Sequence, residues 1–195
     1  VMGGLGYPVS VTLAPKTRDD QPGALYEGTD YRLLGEAADQ ALLMTYEWGY
    51  SRGQPMAVAP VNLVRRVVDY AVSRIPREKL LLGIPNYGYD WPLPYQKGIT
   101  SAVTIGNLEA VHIAVENGVP IEYDPVARSP YFYCTKDGTE HVVWFEDVRS
   151  WSEKLALTRD SGMEGVGIWQ IMRLFRAGLI LINSSYGETG TGTAG

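Results

Sequence analysis

The chain has a single cysteine, Cys134, and two histidines, His112 and His141. One cysteine excludes an internal disulfide framework and a cysteine-rich zinc site, and so few histidines exclude most imidazole-based metal centres. Positive charge is scarce as well. Lys and Arg number 17 against 22 Asp and Glu, a formal net charge of -5, and no basic run exceeds Arg65-Arg66. Nucleic-acid surfaces need a basic face, so none is expected. The longest apolar runs, such as Leu179-Ile180-Leu181-Ile182, fall far short of the ~20 residues that span a bilayer. No GxGxxG or GxxxxGK(S/T) loop is present, which removes the common dinucleotide and phosphate cradles. Gly3-Gly4-Leu5-Gly6 precedes a strand instead of following one and reads as a turn.

What is present suits a packed domain. Hydrophobic residues make up 45% of the 195 residues and charged ones 20%, enough for a core and too apolar for wholesale disorder. That length suggests one domain, or one domain with a small insertion. The first residue is Val1 and not Met, which points to a piece of a longer protein. Short β-branched or aliphatic runs at Val9–Ala14, Ala41–Tyr46, Leu80–Pro85 and Gly165–Trp169 read as buried strands. Between them lie helical patterns at Tyr31–Ala38 and Val61–Arg74. In the second, Val64, Val67, Val68, Ala71 and Val72 share one face, leaving Arg65 and Arg66 solvated. A further helix covers Trp151–Arg159. Near-continuous apolar strands alternating with helices indicate parallel β/α units. Four such units are half of an eight-fold barrel, which needs roughly 250 residues.

The stretch before the Trp151 helix has another texture. A helix is expected at Leu108–Asn117, with strands at Ile121–Tyr123, Tyr131–Thr135 and Glu140–Trp144 and a hairpin turn at Lys136-Asp137-Gly138. The expected division is therefore 1–96 for barrel units, 97–145 for an α+β insertion, 146–186 for the last helix, last strand and a C-terminal helix, and 187–195 for a flexible tail.

The strand ends are aromatic and polar together: Tyr46, Glu47 and Trp48 after the second strand, Tyr87, Tyr89, Asp90 and Trp91 after the third, Trp169 and Gln170 at the fourth. In α/β folds those C-terminal ends form the active-site rim. Flat rings beside carboxylates and amides suit a sugar, whose ring faces stack and whose hydroxyls need polar partners. Each aromatic taken singly reads first as an ordinary core or loop anchor; three successive strand ends with the same chemistry reverse that and favour the sugar.

Here the residues resemble family 18 glycoside hydrolases. Leu43-Met44-Thr45-Tyr46-Glu47-Trp48 is similar to their MxYD/E segment on barrel strand six, and Leu13-Ala14-Pro15-Lys16 to the end of strand five. Leu82-Gly83-Ile84-Pro85-Asn86-Tyr87-Gly88-Tyr89-Asp90-Trp91 looks like strand seven, and Gly165-Val166-Gly167-Ile168-Trp169 like strand eight. Ala59-Pro60-Val61-Asn62 through Pro76-Arg77-Glu78-Lys79 resembles the spore-germination, cortex-lytic N-acetylglucosaminidase branch. The resemblance implies the C-terminal half of a (β/α)8 TIM barrel, strands five to eight, with a small α+β insertion after strand seven. It implies a retaining hydrolase of N-acetylglucosamine glycans, either cortex peptidoglycan or chitin-like, located in the spore coat, cortex or cell envelope, with no cofactor or metal.

That chemistry uses the sugar's own 2-acetamido oxygen as nucleophile while a Glu protonates the leaving group. The Glu closes a DxxDxDxE segment, which this sequence lacks; Asp20 to Glu27 matches the span without the intervening acids. By resemblance, Tyr46 orients the acetamido group, Met44 lines the pocket and Trp169 forms its floor. Glu47 stands where chitinases more often carry Asp. Tyr87, Asp90, Tyr89, Trp91 and Gln170 are candidate substrate contacts, although Tyr87, Tyr89 and Trp91 could equally pack the insertion onto the barrel. Lys16 reads as a strand cap, or as a residue reaching substrate. Cys134 has no base near it in sequence, and His112 and His141 read as structural or exposed. Glu146-Asp147 is read as complementing a helix start. The chain alone is expected to be inactive. A half-barrel exposes sheet edges at the Val9 and Val166 strands, so self-association or pairing with the missing N-terminal half is expected. The alternatives are a non-catalytic carbohydrate-binding protein or a partner-assembling half-barrel.

Overall fold

The structure, a computed structural model, describes residues 6–186. The glycines at 3 and 4 and the 187–195 tail lie outside the described residues. Two sheets organise the fold. In the first, β1 (Ser10–Leu13), β2 (Gln40–Leu43), β3 (Leu80–Pro85) and β9 (Gly165–Trp169) run parallel in the order β1-β2-β3-β9. In the second, β4 (Tyr87–Pro92), β5 (Val103–Gly106), β6 (Glu122–Asp124), β7 (Ser129–Lys136) and β8 (Thr139–Trp144) pair antiparallel in the order β5-β4-β8-β7-β6. The helices are α1 (Tyr31–Ala37), α2 (Val61–Val72), α3 (Asn107–Glu116), α4 (Val148–Asp160) and α5 (Arg176–Tyr186). Among the described residues the parallel sheet does not close into a barrel, and no helix is long and apolar enough to cross a membrane.

The parallel sheet and its helices enclose the main core. Leu13, Leu43, Leu80, Leu82 and Ile84 from the strands meet Val64, Val67, Val68 and Ala71 of α2 and Trp151, Leu155 and Leu157 of α4. Each buried aliphatic side chain of this kind contributes ~1.5–3 kcal/mol over its exposed state. Arg65 and Arg66 face water, as their place opposite the valines requires. Lys79 donates to the carbonyl oxygens of Gly35 and Ala38 at 2.9 and 2.8 Å, satisfying acceptors that the end of α1 leaves open.

The start of α4 separates two adjacent carboxylates. Asp147 is its N-cap, accepting from the backbone N–H of Arg149 at 2.9 Å and of Ser150 at 3.0 Å. Glu146 instead lies fully buried, paired with the equally buried Lys154 at 2.8 Å and accepting from Ser150 Oγ at 2.6 Å. The helix-start reading holds for Asp147 and is corrected for Glu146, whose task is to neutralise a buried ammonium.

Two strands depart from the sequence reading. Tyr87–Pro92, expected as the rim end of the third strand, is a separate strand of the second sheet, so that sheet begins ahead of the expected boundary at residue 97. Its partner β5 is a strand where the sequence pattern indicates none. β4 forms because β8 supplies a long-range edge, with Tyr89 opposite Trp144 and Trp91 opposite Val142, and β5 pairs onto the other side of β4. The β7–β8 hairpin turns at Asp137-Gly138, both with positive φ (49° and 78°), the two-residue turn that the Asp-Gly pair favours.

Candidate functional site at the carboxyl ends of the parallel strands

The parallel register sets Leu13 beside Leu43, Leu43 beside Leu82 and Pro85 beside Trp169, so the four strands finish on one side. The segments leaving those strand ends converge there. After β2 the chain turns tightly: Tyr46 N–H donates to the Met44 carbonyl at 2.9 Å, and Thr45 Oγ1 donates across the sheet to the Gly83 carbonyl at 2.8 Å. Gly83 must be glycine at this crossing. A Cβ there would lie 2.3 Å from the Leu43 carbonyl oxygen and 2.9 Å from the Tyr46 ring. Glu47 then adopts the left-handed region, φ 67°, which costs a non-glycine residue about 1–3 kcal/mol and is commoner at functional sites than elsewhere.

Tyr46 and Trp169 stand side by side with nearly parallel rings, centroids 6.4 Å apart and planes at 14°. Trp169 is 54% exposed, a flat apolar face open to solvent at the end of β9. Met44, Tyr46, Glu47 and Trp48 line a cleft of about 250 Å³ with Ala14, Pro15, Leu25 and Tyr26. On the other side of Glu47, the phenol of Tyr89 donates to Glu47 Oε1 at 2.9 Å and Oε2 at 3.1 Å, and the phenol of Tyr87 donates to Oε1. The second sheet thus grips the carboxylate at the end of the first.

These phenols are kept protonated. Burial raises the pKa of Tyr46, and the neighbouring Glu47 charge adds to it. Burial raises Tyr87 and Tyr89 further, again reinforced by Glu47. A phenol that cannot ionise near neutrality is a dependable hydrogen-bond donor. The site therefore offers a ring face, a donating Tyr46 and a carboxylate of fixed position, the requirements for holding one sugar ring by its face and its polar substituents.

The sequence-derived candidates divide. Met44, Tyr46, Glu47 and Trp169 come together, with Tyr87 and Tyr89 behind Glu47. Tyr87 and Tyr89 also pack in the second sheet's core, as the packing alternative expects. Trp91 is fully buried and donates from Nε1 to the Gly53 carbonyl at 3.0 Å, which makes it a packing residue. Asp90 alternates to the opposite face of β4, where His141 Nδ1 lies 2.7 Å from it and Lys136 also pairs with it. It does not reach the cleft, a correction that stems from the strand's two-residue period. Lys16 is buried, donating to the carbonyls of Asp19 at 3.0 Å and Thr29 at 2.8 Å, so it ties a loop together and is closed to substrate. Cys134 is buried on β7, and His112 is exposed.

Asn86 is the residue that sequence reasoning missed. Buried between β3 and β4, it accepts from Gln170 N–H at 2.8 Å through Oδ1 and donates through Nδ2 to the carbonyls of Gln170, at 2.8 Å, and Arg173. Its own N–H donates to the Trp169 carbonyl at 3.0 Å. Asn86 thereby fastens the backbone that carries the Trp169 platform, and Gln170 contributes chiefly through its backbone. A signal for it exists: a lone amide between two strands, in Ile84-Pro85-Asn86-Tyr87, has polar groups to satisfy.

Residues 5–173 match the sequence profile of glycosyl hydrolases family 18. The chain belongs to that family. Over 182 residues it is 41% identical to the cortical fragment-lytic enzyme of Bacillus subtilis (strain 168), covering 93% of this chain and 42% of the relative. It is 35% identical to the putative sporulation-specific glycosylase YdhD of the same organism, covering 93% and 43%. The crystal structure of the Bacillus cereus spore cortex-lytic enzyme SleL superposes with a TM-score of 0.90 at 38% identity, covering 92% of this chain and 42% of that one. The family 18 chain thus has an α/β fold and its similarity lies with the spore cortex-lytic branch. It spans less than half the length of these relatives.

Proposed function

We propose that this chain forms one wall of the sugar pocket of a family 18 glycosidase that cleaves N-acetylglucosamine-containing glycans, cortex peptidoglycan foremost. The supporting observation is the corner at the strand ends: Tyr46 stacked beside the exposed Trp169, with Glu47 fixed by Tyr87 and Tyr89. In this reading the reacting sugar lies on Trp169. Tyr46 donates to the acetamido carbonyl and orients its oxygen toward the anomeric carbon, stabilising the charge that develops as the ring forms. A separate carboxylic acid must protonate the leaving oxygen. The DxxDxDxE segment that supplies it in the family is absent from this sequence, and general acid catalysis contributes ~10²–10⁴-fold.

The open parallel sheet suits the C-terminal half of a barrel, with β1 and β9 as the edges that a complementary half would pair. The chain alone is therefore expected not to turn over a fluorogenic N-acetylglucosaminide. Mixing it with the separately expressed DxxDxDxE-containing part of a cortical fragment-lytic enzyme should restore turnover, and Tyr46→Phe should abolish most of the gain. Turnover by the pure chain would overturn the assignment of the missing acid. A second reading, carbohydrate binding without catalysis, draws on the same wall without its acid; binding of N-acetylglucosamine oligomers with no turnover in the mixture would favour it.

A further inference from the structure

The second sheet carries aromatic residues well beyond the cleft. Across its strands, Tyr89 of β4 stands opposite Trp144 of β8, Trp144 opposite Tyr131 of β7, and Tyr131 opposite Glu122 of β6. These residues form one row at right angles to the strands, on the face away from Phe132, Cys134 and Val143. The row starts at the candidate site, because the phenol of Tyr89 is bound to Glu47. With strands ~4.8 Å apart it extends roughly 14 Å from β4 to β6.

Burial falls along the row. Tyr89 is buried, Trp144 and Tyr131 are half-buried, and Tyr133, two residues along the same face, is 51% exposed. Tyr131 stacks on Trp144 with centroids 4.6 Å apart and planes at 19°, and Tyr133 meets Tyr131 edge-on at 6.2 Å. The hydroxyl of Tyr131 donates to Glu122 Oε2 at 2.6 Å. Cross-strand pairing accounts for the Trp144–Tyr131 contact. It does not account for a third ring left half in water on the same face.

We propose that Trp144, Tyr131 and Tyr133 form an outer binding strip for sugars of the same N-acetylated glycan, beyond the one held at Trp169. Exposed rings offer the apolar faces of successive pyranoses a surface, while the Tyr131 hydroxyl and the Glu122 carboxylate meet their hydroxyl groups. The strip rests on the reading of the cleft as a sugar pocket, and it adds a preference for long strands over short ones.

Titration of the full chain with the di- and hexasaccharide of β-1,4-linked N-acetylglucosamine tests this. The hexasaccharide is expected to bind about tenfold more tightly than the disaccharide. Tyr133→Ala and Tyr131→Ala should each weaken hexasaccharide binding about three- to tenfold and leave the disaccharide unchanged. Tyr133→Ala removes an exposed ring, so its thermal unfolding should match that of the parent chain. Equal affinity for the two lengths, or an unaltered hexasaccharide affinity in Tyr133→Ala, would overturn the strip. Tyr46→Ala separates the two ideas. It should weaken both lengths; if it spares the disaccharide the cleft reading fails, and if no saccharide binds at all both fail.

Discussion

At the scale of single residues, the site depends on groups that hold the sugar-facing ones in place. The Asn86 side chain satisfies the carbonyls of Gln170 and Arg173 and the N–H of Gln170, all just beyond Trp169. Asn86→Ala removes this side-chain partner from all three groups, at ~1–3 kcal/mol, and loosens the platform segment; the Gln170 carbonyl keeps its bond from Arg173 N–H at 3.3 Å. Both a lower denaturation midpoint and weaker saccharide binding are expected; unchanged binding would show that Trp169 is held by other means. The phenols bring a pH dependence. Tyr31, Tyr87 and Tyr89 all have pKa values raised by burial above the ordinary 10.0. Above pH 10 the unfolded chain loses these protons while the folded chain keeps them, so the folded state binds more protons and stability falls as pH rises. Urea midpoints measured from pH 9 to 11 should decline through that window. Tyr87→Phe should flatten the decline, and an equally steep profile in that variant would count against the buried phenol as a cause.

At the scale of elements, α4 is anchored by charge as well as by packing. The Glu146 carboxyl is pushed up by burial and held down by Lys154, with the fully buried pair at 2.8 Å. Glu146→Leu or Lys154→Met alone leaves an unpaired buried charge and should cost about 3–5 kcal/mol. The double variant should lose much less than the sum of the two, as a double-mutant cycle by urea unfolding can measure. Additive losses would show that the two groups do not act as a pair. The same elements show what is legible in one dimension. α2 is, because five apolar residues repeat at helical spacing, and so are the four parallel strands, because their apolar runs are short and near-continuous, although of the four β3 alone is buried along nearly its whole length. β2 ends at Leu43, earlier than its apolar run, since the Thr45 and Tyr46 N–H groups turn back to the Leu43 and Met44 carbonyls. β4 is not, because Tyr87-Gly88-Tyr89-Asp90-Trp91 follows Leu82-Gly83-Ile84-Pro85-Asn86 without a break and reads as the end of the same parallel strand. Its status is conferred by β8, a partner far along the chain.

At the scale of the whole molecule, the parallel sheet ends in β1 and β9, each with one unpaired side among the described residues. Ile171 and Met172, just beyond β9, are 94% and 83% exposed. An unpaired edge beside exposed apolar side chains invites association. Light scattering on the purified chain should show an apparent mass that rises with concentration. Adding a complementary barrel half should convert those assemblies into a defined one-to-one complex. A monodisperse monomer at high concentration, unresponsive to that addition, would count against the half-barrel reading.

The sequence by itself determined the parallel β/α units, their aromatic ends and the family. Those features are local: apolar runs, helical spacing and short motifs such as Met44-Thr45-Tyr46-Glu47 survive in one dimension. Tertiary structure decided which aromatics face the cleft. Asp90 and Tyr89 are adjacent in sequence, yet the pleat of β4 sends one to His141 and Lys136 and the other to Glu47. It also decided that Glu146 and Asp147 part ways, one into the core and one onto a helix end. The physical reason is the same in each case. A side chain's direction is set by the register of its strand or helix against distant partners, and that register is absent until the chain folds.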